Sequence, residues 1–244
     1  MKGGYLAGLC ALLFLALSGC ATTKPALSPE ELFRDGEQLF KREKYEDAIA
    51  QWKKVKESYH SPELSARAEI GIADAYFLNR DYIESASAYE DFRKLHPRSE
   101  KAGYALFRQG VSSYHQITGI DTDQTPVKNA RATLQSYLEL YPGGESVQEA
   151  REKLTDCRDK QLQYEIYVGR FYLRTEKYPA AIGRFEAAAE SFPDLPRKAE
   201  ALYGLVSAYR ESGERDKAVA AYERLMKEFP GSRYTADAGR ELGK

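Results

Sequence analysis

The residue types that most often carry chemistry are sparse in this chain and poorly spaced for it. Its three histidines, His60, His96 and His115, stand far apart, and none pairs with another at metal-ligand spacing. Cys10 lies in an apolar N-terminal run, Cys20 follows Ser18-Gly19, and Cys157 sits alone in a strongly helical stretch. No redox motif surrounds Cys157, so packing is its expected role. Patterns such as HExxH, GxSxG, CxxC, a phosphate-binding loop or a dinucleotide fingerprint do not occur. Carboxylates abound, but they alternate with Lys and Arg as solvated helix faces do. The chain is therefore not expected to be an enzyme, and no cofactor or metal is expected. Any function has to come from surfaces that bind.

Cys20 is the exception, because its setting gives its thiol a definite chemistry. Lys2 supplies positive charge and residues 5–17 form an apolar run. That run is short of the roughly 20 residues a permanent membrane helix needs. It ends in Leu17-Ser18-Gly19-Cys20, which resembles the lipobox of bacterial lipoproteins. Small residues at 18 and 19 let a peptidase reach the backbone, and the Cys20 thiol takes the diacylglycerol. The expectation is a signal peptide over 1–19, lipidation at Cys20 and a lipidated tether over 20–27. Acyl chains contribute about 0.8 kcal/mol per buried methylene, so a triacylated cysteine is a lasting anchor. Ala21, where an aspartate would indicate inner-membrane retention, implies the periplasmic face of the outer membrane by resemblance to the enteric sorting rule.

Lys and Arg total 36 against 37 Asp and Glu. That balance lacks the basic surplus that nucleic acid requires, so nucleic acid is not expected as a partner.

From Ser28 onward the chain repeats itself. A small residue is followed four positions later by a large apolar one and eight positions after that by proline. Ser85, Tyr89 and Pro97 fit, as do Ala130, Leu134 and Pro142; Ala181, Phe185 and Pro193; and Ala218, Tyr222 and Pro230. The first copy has Ala48 and Trp52, with His60 in place of proline. Nine residues before the small residue stands Leu39, Tyr76, Tyr172 or Tyr209, whereas Tyr114 lies sixteen before Ala130. This is the tetratricopeptide (TPR) signature, a helix-turn-helix of about 34 residues. Small residues let two helices approach, the large residue fills the groove between them, and proline stops the second helix. One hairpin cannot bury its apolar stripe alone, so the hairpins must stack.

The expected fold is all-α, a TPR α-solenoid superhelix of five hairpins. They run 28–60, 61–97, 98–142, 146–193 and 194–230, with a closing helix after Ser232. Ser28-Pro29-Glu30-Glu31 reads as an N-cap, a first-turn proline and a capping-box glutamate. Ser61-Pro62 and Thr125-Pro126 look like similar starts. Gly119 to Gln124 is too polar and turn-prone to be helix, so it interrupts hairpin three. The helical surplus around Val147 to Gln163 lengthens the first helix of hairpin four. It separates an N-terminal group of three repeats, 28–142, from a C-terminal pair, 143–244, with its closing helix.

TPR stacks bind through the concave groove lined by the first helix of each hairpin. The register places Phe33, Glu37 and Phe40 of hairpin one toward it. Hairpin two adds Arg67, Ile70, Asp74 and Phe77; hairpin three adds Arg108, Ser112 and His115. Aromatic surface with interspersed charge suits an extended peptide or the terminus of an unfolded chain. In the aromatic, arginine-rich stretch Tyr164 to Arg174 and the helix after it, Tyr172 and Phe185 are core positions. Arg170, Arg174 and Arg184 have no core role in the pattern and are expected at an interface.

The lipobox, the short tether, five TPRs, the broken third repeat and the stretch Tyr164 through Phe192 together resemble the BamD family, also called YfiO or ComL. The resemblance covers essentially the whole mature chain. It implies a non-enzymatic lipoprotein of the machinery that assembles outer-membrane β-barrels. Its implied partners are the periplasmic POTRA domains of a BamA-like barrel protein, other Bam lipoproteins, and unfolded outer-membrane proteins. Arg184, within Ala-Ala-Ile-Gly-Arg-Phe, falls at the family's basic position in the BamA-facing repeat, and Arg170 and Arg174 are expected at the same BamA-like partner-binding face. Contacts the family makes through a longer C-terminal tail are not carried over. The alternative reading is another TPR lipoprotein, such as a secretin pilotin or a cell-envelope scaffold.

Overall fold

The computed structural model describes residues 27–58 and 61–244. The expected signal peptide, Cys20, most of the expected tether and His60 lie outside the described residues. Within them the chain forms eleven α-helices and no strand. Hairpin one is α1 (Pro29–Lys41) with α2 (Tyr45–Glu57), and hairpin two is α3 (Pro62–Leu78) with α4 (Tyr82–Leu95). Hairpin three pairs α5 (Ala102–His115) with α6 (Thr125–Leu140). The long α7 (Val147–Arg174) pairs with α8 (Tyr178–Ser191), and α9 (Lys198–Glu211) pairs with α10 (Arg215–Glu228). α11 (Arg233–Glu241) closes the stack against α9 and α10.

The repeat's apolar marks turn out to have distinct jobs. Leu39, Tyr76, Tyr172 and Tyr209 each sit two residues from the end of a first helix. The carbonyl of each accepts the N–H five residues on, from Lys44, Asp81, Lys177 and Glu214, at 2.9–3.0 Å. That closure needs a left-handed residue, supplied by Glu43, Arg80, Glu176 and Gly213 at φ 59, 67, 59 and 82°. Hairpin three lacks it: after Tyr114 the chain leaves the helix through the bonded polar loop of Thr118, Gly119 and Thr122. The helix-interrupting segment is therefore a replacement for the tight turn.

The large residue four after the small one is the plug between hairpins. Phe185 is fully buried between α7 and α9. A Cβ at Gly169 would lie 2.7 Å from its ring, and one at Gly204 only 2.4 Å away. Trp52 occupies the same place between Gly36 and Gly71, and its indole N–H donates to the Phe33 carbonyl at 3.2 Å. Each such side chain stabilises by roughly 1.5–3 kcal/mol through burial.

Caps follow the expected starts with one correction. Ser28 and Glu31 form the reciprocal capping box, and Ser61 caps α3 through Leu64 N–H. Thr125, in contrast, lies inside α6. The Asp123 carboxylate accepts from its N–H and hydroxyl instead, so aspartate anchors this helix start.

α7 joins two bodies of core. Its first half gives Ala150 and Cys157 to clusters shared with α5 and α6. Its second half gives Leu162 and Ile166 to a cluster formed otherwise by α8 to α11 and the segments joining them. The hairpin register breaks after Pro142, whereas the packing changes hands inside α7, between Cys157 and Leu162.

Candidate functional site

In the N-terminal hairpins a polar and aromatic cluster crosses from α3 to α5. Asp74 accepts hydrogen bonds on one carboxylate oxygen from Tyr89 at 2.5 Å and Tyr104 at 2.7 Å. Burial pushes the Asp74 carboxyl above its usual range, with both tyrosine donors and Arg108 pulling the other way. Tyr104 is pushed up to about 12 by burial and the neighbouring carboxylate. The Arg108 guanidinium lies 3.5 Å over the Phe77 ring and donates through Nε to Tyr89 at 3.4 Å. His115 stacks on Tyr82 at 4.7 Å, and burial with Lys153 and Arg108 nearby lowers its pKa. One repeat earlier, Arg67 lies 4.4 Å over Phe33 and 3.6 Å from Glu37.

Two expected groove residues are core. Phe33 is buried, because Trp52 enters beside Gly36 and draws the phenylalanine against it. Ser112 is also buried, its hydroxyl bonded to Ser85 and to the Arg108 carbonyl. Ile70 and Phe77 are half-buried and pack on the Tyr89 cluster, and Phe40 is half-buried against Trp52. Accessible surface on these first helices comes from Glu37, Arg67, Tyr104, Arg108 and His115. Tyr104 was not expected there. It lies one helical turn before Arg108, so extending the i, i+4 stripe backward would have found it.

In the C-terminal hairpins the three arginines of the sequence reading separate into two places. Arg184, on α8, bonds Glu165 of α7 at 2.9 Å. Arg170 and Arg174, on α7, face α9 instead: Arg170 bonds Glu200 at 2.8 Å, and Arg174 has no ion partner among the described residues. Tyr203, Ser207 and Arg210 of α9 all engage Glu241 of the closing helix, at 2.5, 3.0 and 3.2 Å. Arg170 stands two residues before Tyr172, as Asp74 stands two before Tyr76. Continuing the register into hairpins four and five would have located Arg170 in this groove, and Tyr203, Ser207 and Arg210 beside it.

Among the described residues no three His, Cys, Asp or Glu side chains are placed to hold a metal ion. Burial pushes the Cys157 thiol up to about 12, so it stays protonated. No described helix is long and apolar enough to cross a membrane.

A stack of TPR hairpins with cation- and aromatic-lined first helices defines an all-α helical-repeat protein. The chain belongs to the YfiO family of outer membrane lipoproteins, whose model matches residues 25–223. A relative from Caulobacter vibrioides, named outer membrane protein assembly factor BamD, is 30% identical over 243 residues, spanning 95% of this chain and 78% of that protein. One of the same name from Rickettsia prowazekii is 27% identical, over 98% and 97%. Of solved structures, the TPR2AB domain of yeast Sti1 in its pHSP90 complex is similar at a TM-score of 0.45 and 13% identity, over 88% and 84% of the chains.

Proposed function

We propose that this chain is an outer-membrane protein assembly factor: a non-catalytic lipoprotein scaffold, held by lipid on Cys20 at the periplasmic face of the outer membrane. The family match over most of the chain is the observation that carries this reading. The N-terminal group, residues 28–142, receives extended segments of unfolded outer-membrane proteins. Tyr104, Arg108 and His115 form the contact surface, with Glu37 and Arg67 continuing it toward the anchor. The C-terminal group, 143–244, docks the POTRA region of a BamA-like barrel protein through the face that carries Arg184, and other Bam lipoproteins join the assembly. Arg184 is half-exposed and held by Glu165, so it is oriented without being hidden.

Affinity purification of the anchored protein from detergent-solubilised outer membrane tests this directly. Co-isolation of a POTRA-bearing barrel protein, lost on Arg184→Glu, is the expected result. Recovery of a secretin instead would support the pilotin alternative and contradict the assembly role.

A further inference from the structure

The last three turns of α7 carry a surface that neither the client groove nor the Arg184 face uses. Tyr167, Arg170, Phe171 and Arg174 fall at i, i+3, i+4 and i+7, on one side of the helix. Tyr167 is 41% exposed and Phe171 47%. Two large aromatics left in solvent beside two arginines are unusual on a solvated helix face and frequent at polypeptide contacts. A cavity of 310 Å³ opens on one side of this stripe, reaching Ile120 of the hairpin-three loop. A second, of 440 Å³, opens on the other side toward α9 and shares Arg170, Arg174 and Glu200.

The charges are layered. Glu200 is nearly buried, at 11% side-chain exposure, and bonds Arg170 from below at 2.8 Å, with Arg197 3.6 Å away. Arg197 is in turn bonded by Asp159 at 2.8 Å. Arg170 remains 49% exposed above its carboxylate. Arg174 is exposed and has no ion partner among the described residues. Along the wall from Ile120 to Arg174, the solvent-facing charge is therefore guanidinium. The second cavity also carries Glu176, Glu211 and Glu241, the last two bonded to Arg210 at 2.5 and 3.2 Å.

We propose that this stripe is a second polypeptide-binding site, separate from the Arg184 face, that takes an extended acidic segment of a partner protein. The segment's carboxylate pairs with Arg174 and Arg170, and a neighbouring aromatic or aliphatic side chain rests on Phe171 and Tyr167. Guanidinium donates two coplanar N–H bonds to a carboxylate, and Glu200 holds Arg170 ready for it.

Fluorescence anisotropy on the full mature protein tests the site. The probe is a labelled amidated decapeptide of alternating Asp and Phe flanked by Ser and Gly; the control has Lys for every Asp. Binding of the acidic probe, about tenfold weaker for Arg174→Glu and severalfold weaker for Phe171→Ser, is expected. Both side chains are exposed, so circular-dichroism melting should stay near wild type. Equal binding of the lysine control, or an unchanged affinity in Arg174→Glu, would overturn the proposal. So would loss on Arg108→Glu with Arg174→Glu unaffected, which would put the probe in the N-terminal groove. Arg184→Glu should leave probe binding intact while releasing the barrel partner, so failure here and failure of the assembly role are told apart.

Discussion

Two residues before the tyrosine that closes the first helix, hairpin two carries Asp74 and hairpin four carries Arg170. The surroundings of the two positions differ as much as their charge. Asp74 is sunk beneath two tyrosine hydroxyls, with Arg108 spread over Phe77 beside it. Arg170 stands above a nearly buried Glu200, with Phe171 and Tyr167 in solvent at its flank. Meanwhile the plug and turn positions are alike in both halves: Trp52 and Phe185 each fill a space left by two glycines, and Tyr76 and Tyr172 each close over a left-handed residue. Repetition is thus held by the positions that join hairpins. Groove positions carry no such joint, so they differ in charge between the halves, each held by what the next hairpin offers: Tyr104 to Asp74 and Glu200 to Arg170.

The largest test attacks the shared scaffold. Phe185→Ala and Trp52→Ala should each cost about 3–5 kcal/mol in urea unfolding, since the paired glycines leave no side chain able to fill the hole. A loss under about 1 kcal/mol in either would break the claim that the halves share one joint.

Next comes the groove. Arg108→Glu should weaken binding of an unfolded outer-membrane protein segment about tenfold, measured by titration of a labelled peptide. Arg170→Glu should leave that binding within about twofold of wild type, at a thermodynamic cost below roughly 1 kcal/mol. Equal effects of the two changes would erase the distinction between the ends.

A pH experiment sharpens the comparison at its acidic pole. The folded protein holds the Asp74 proton more tightly than the unfolded chain, whose carboxyl titrates near 3.8. Stability should therefore fall as pH rises through that value and on to the raised folded pKa, and ionised Asp74 remains a net cost above it. Asp74→Asn should flatten this slope in thermal melts across acidic pH; an identical slope would assign the burial cost elsewhere. The smallest expected effect is at the turns. Glycine for Glu43, Arg80 or Glu176 should change stability by no more than about 0.5–1 kcal/mol and in the favourable direction, because each now holds a left-handed backbone.

Much of the fold was legible because TPR marks report on joints between hairpins, and joints obey local rules. Proline stops, the Ser28 and Ser61 caps, and the spacing of Tyr172, Phe185 and Pro193 each express a constraint that acts within a few residues. Hairpin boundaries, the broken third repeat and the long α7 followed from these. Groove residues were less legible, since whether a first-helix side chain reaches solvent depends on what its partner helix and the adjacent repeat bring. Phe33 is buried because Trp52 arrives from α2, and Ser112 because Ser85 arrives from α4. Arg170 and Arg184 looked equivalent as cations with no core role, but their carboxylates, Glu200 and Glu165, lie on different helices and turn them to different faces. Thr125-Pro126 resembles a capped start, but the carboxylate two residues earlier, Asp123, makes the bonds there.

Site-specific photocrosslinking in living cells bears most directly on the claim that one stack grips distinct polypeptides on distinct faces. A photoreactive residue is placed in turn at Tyr104, Phe171 and Arg184. Adducts with unfolded outer-membrane proteins at Tyr104, with the barrel partner at Arg184, and with a different acidic segment at Phe171 are predicted. The same adduct pattern at all three positions, or none at any, would contradict it.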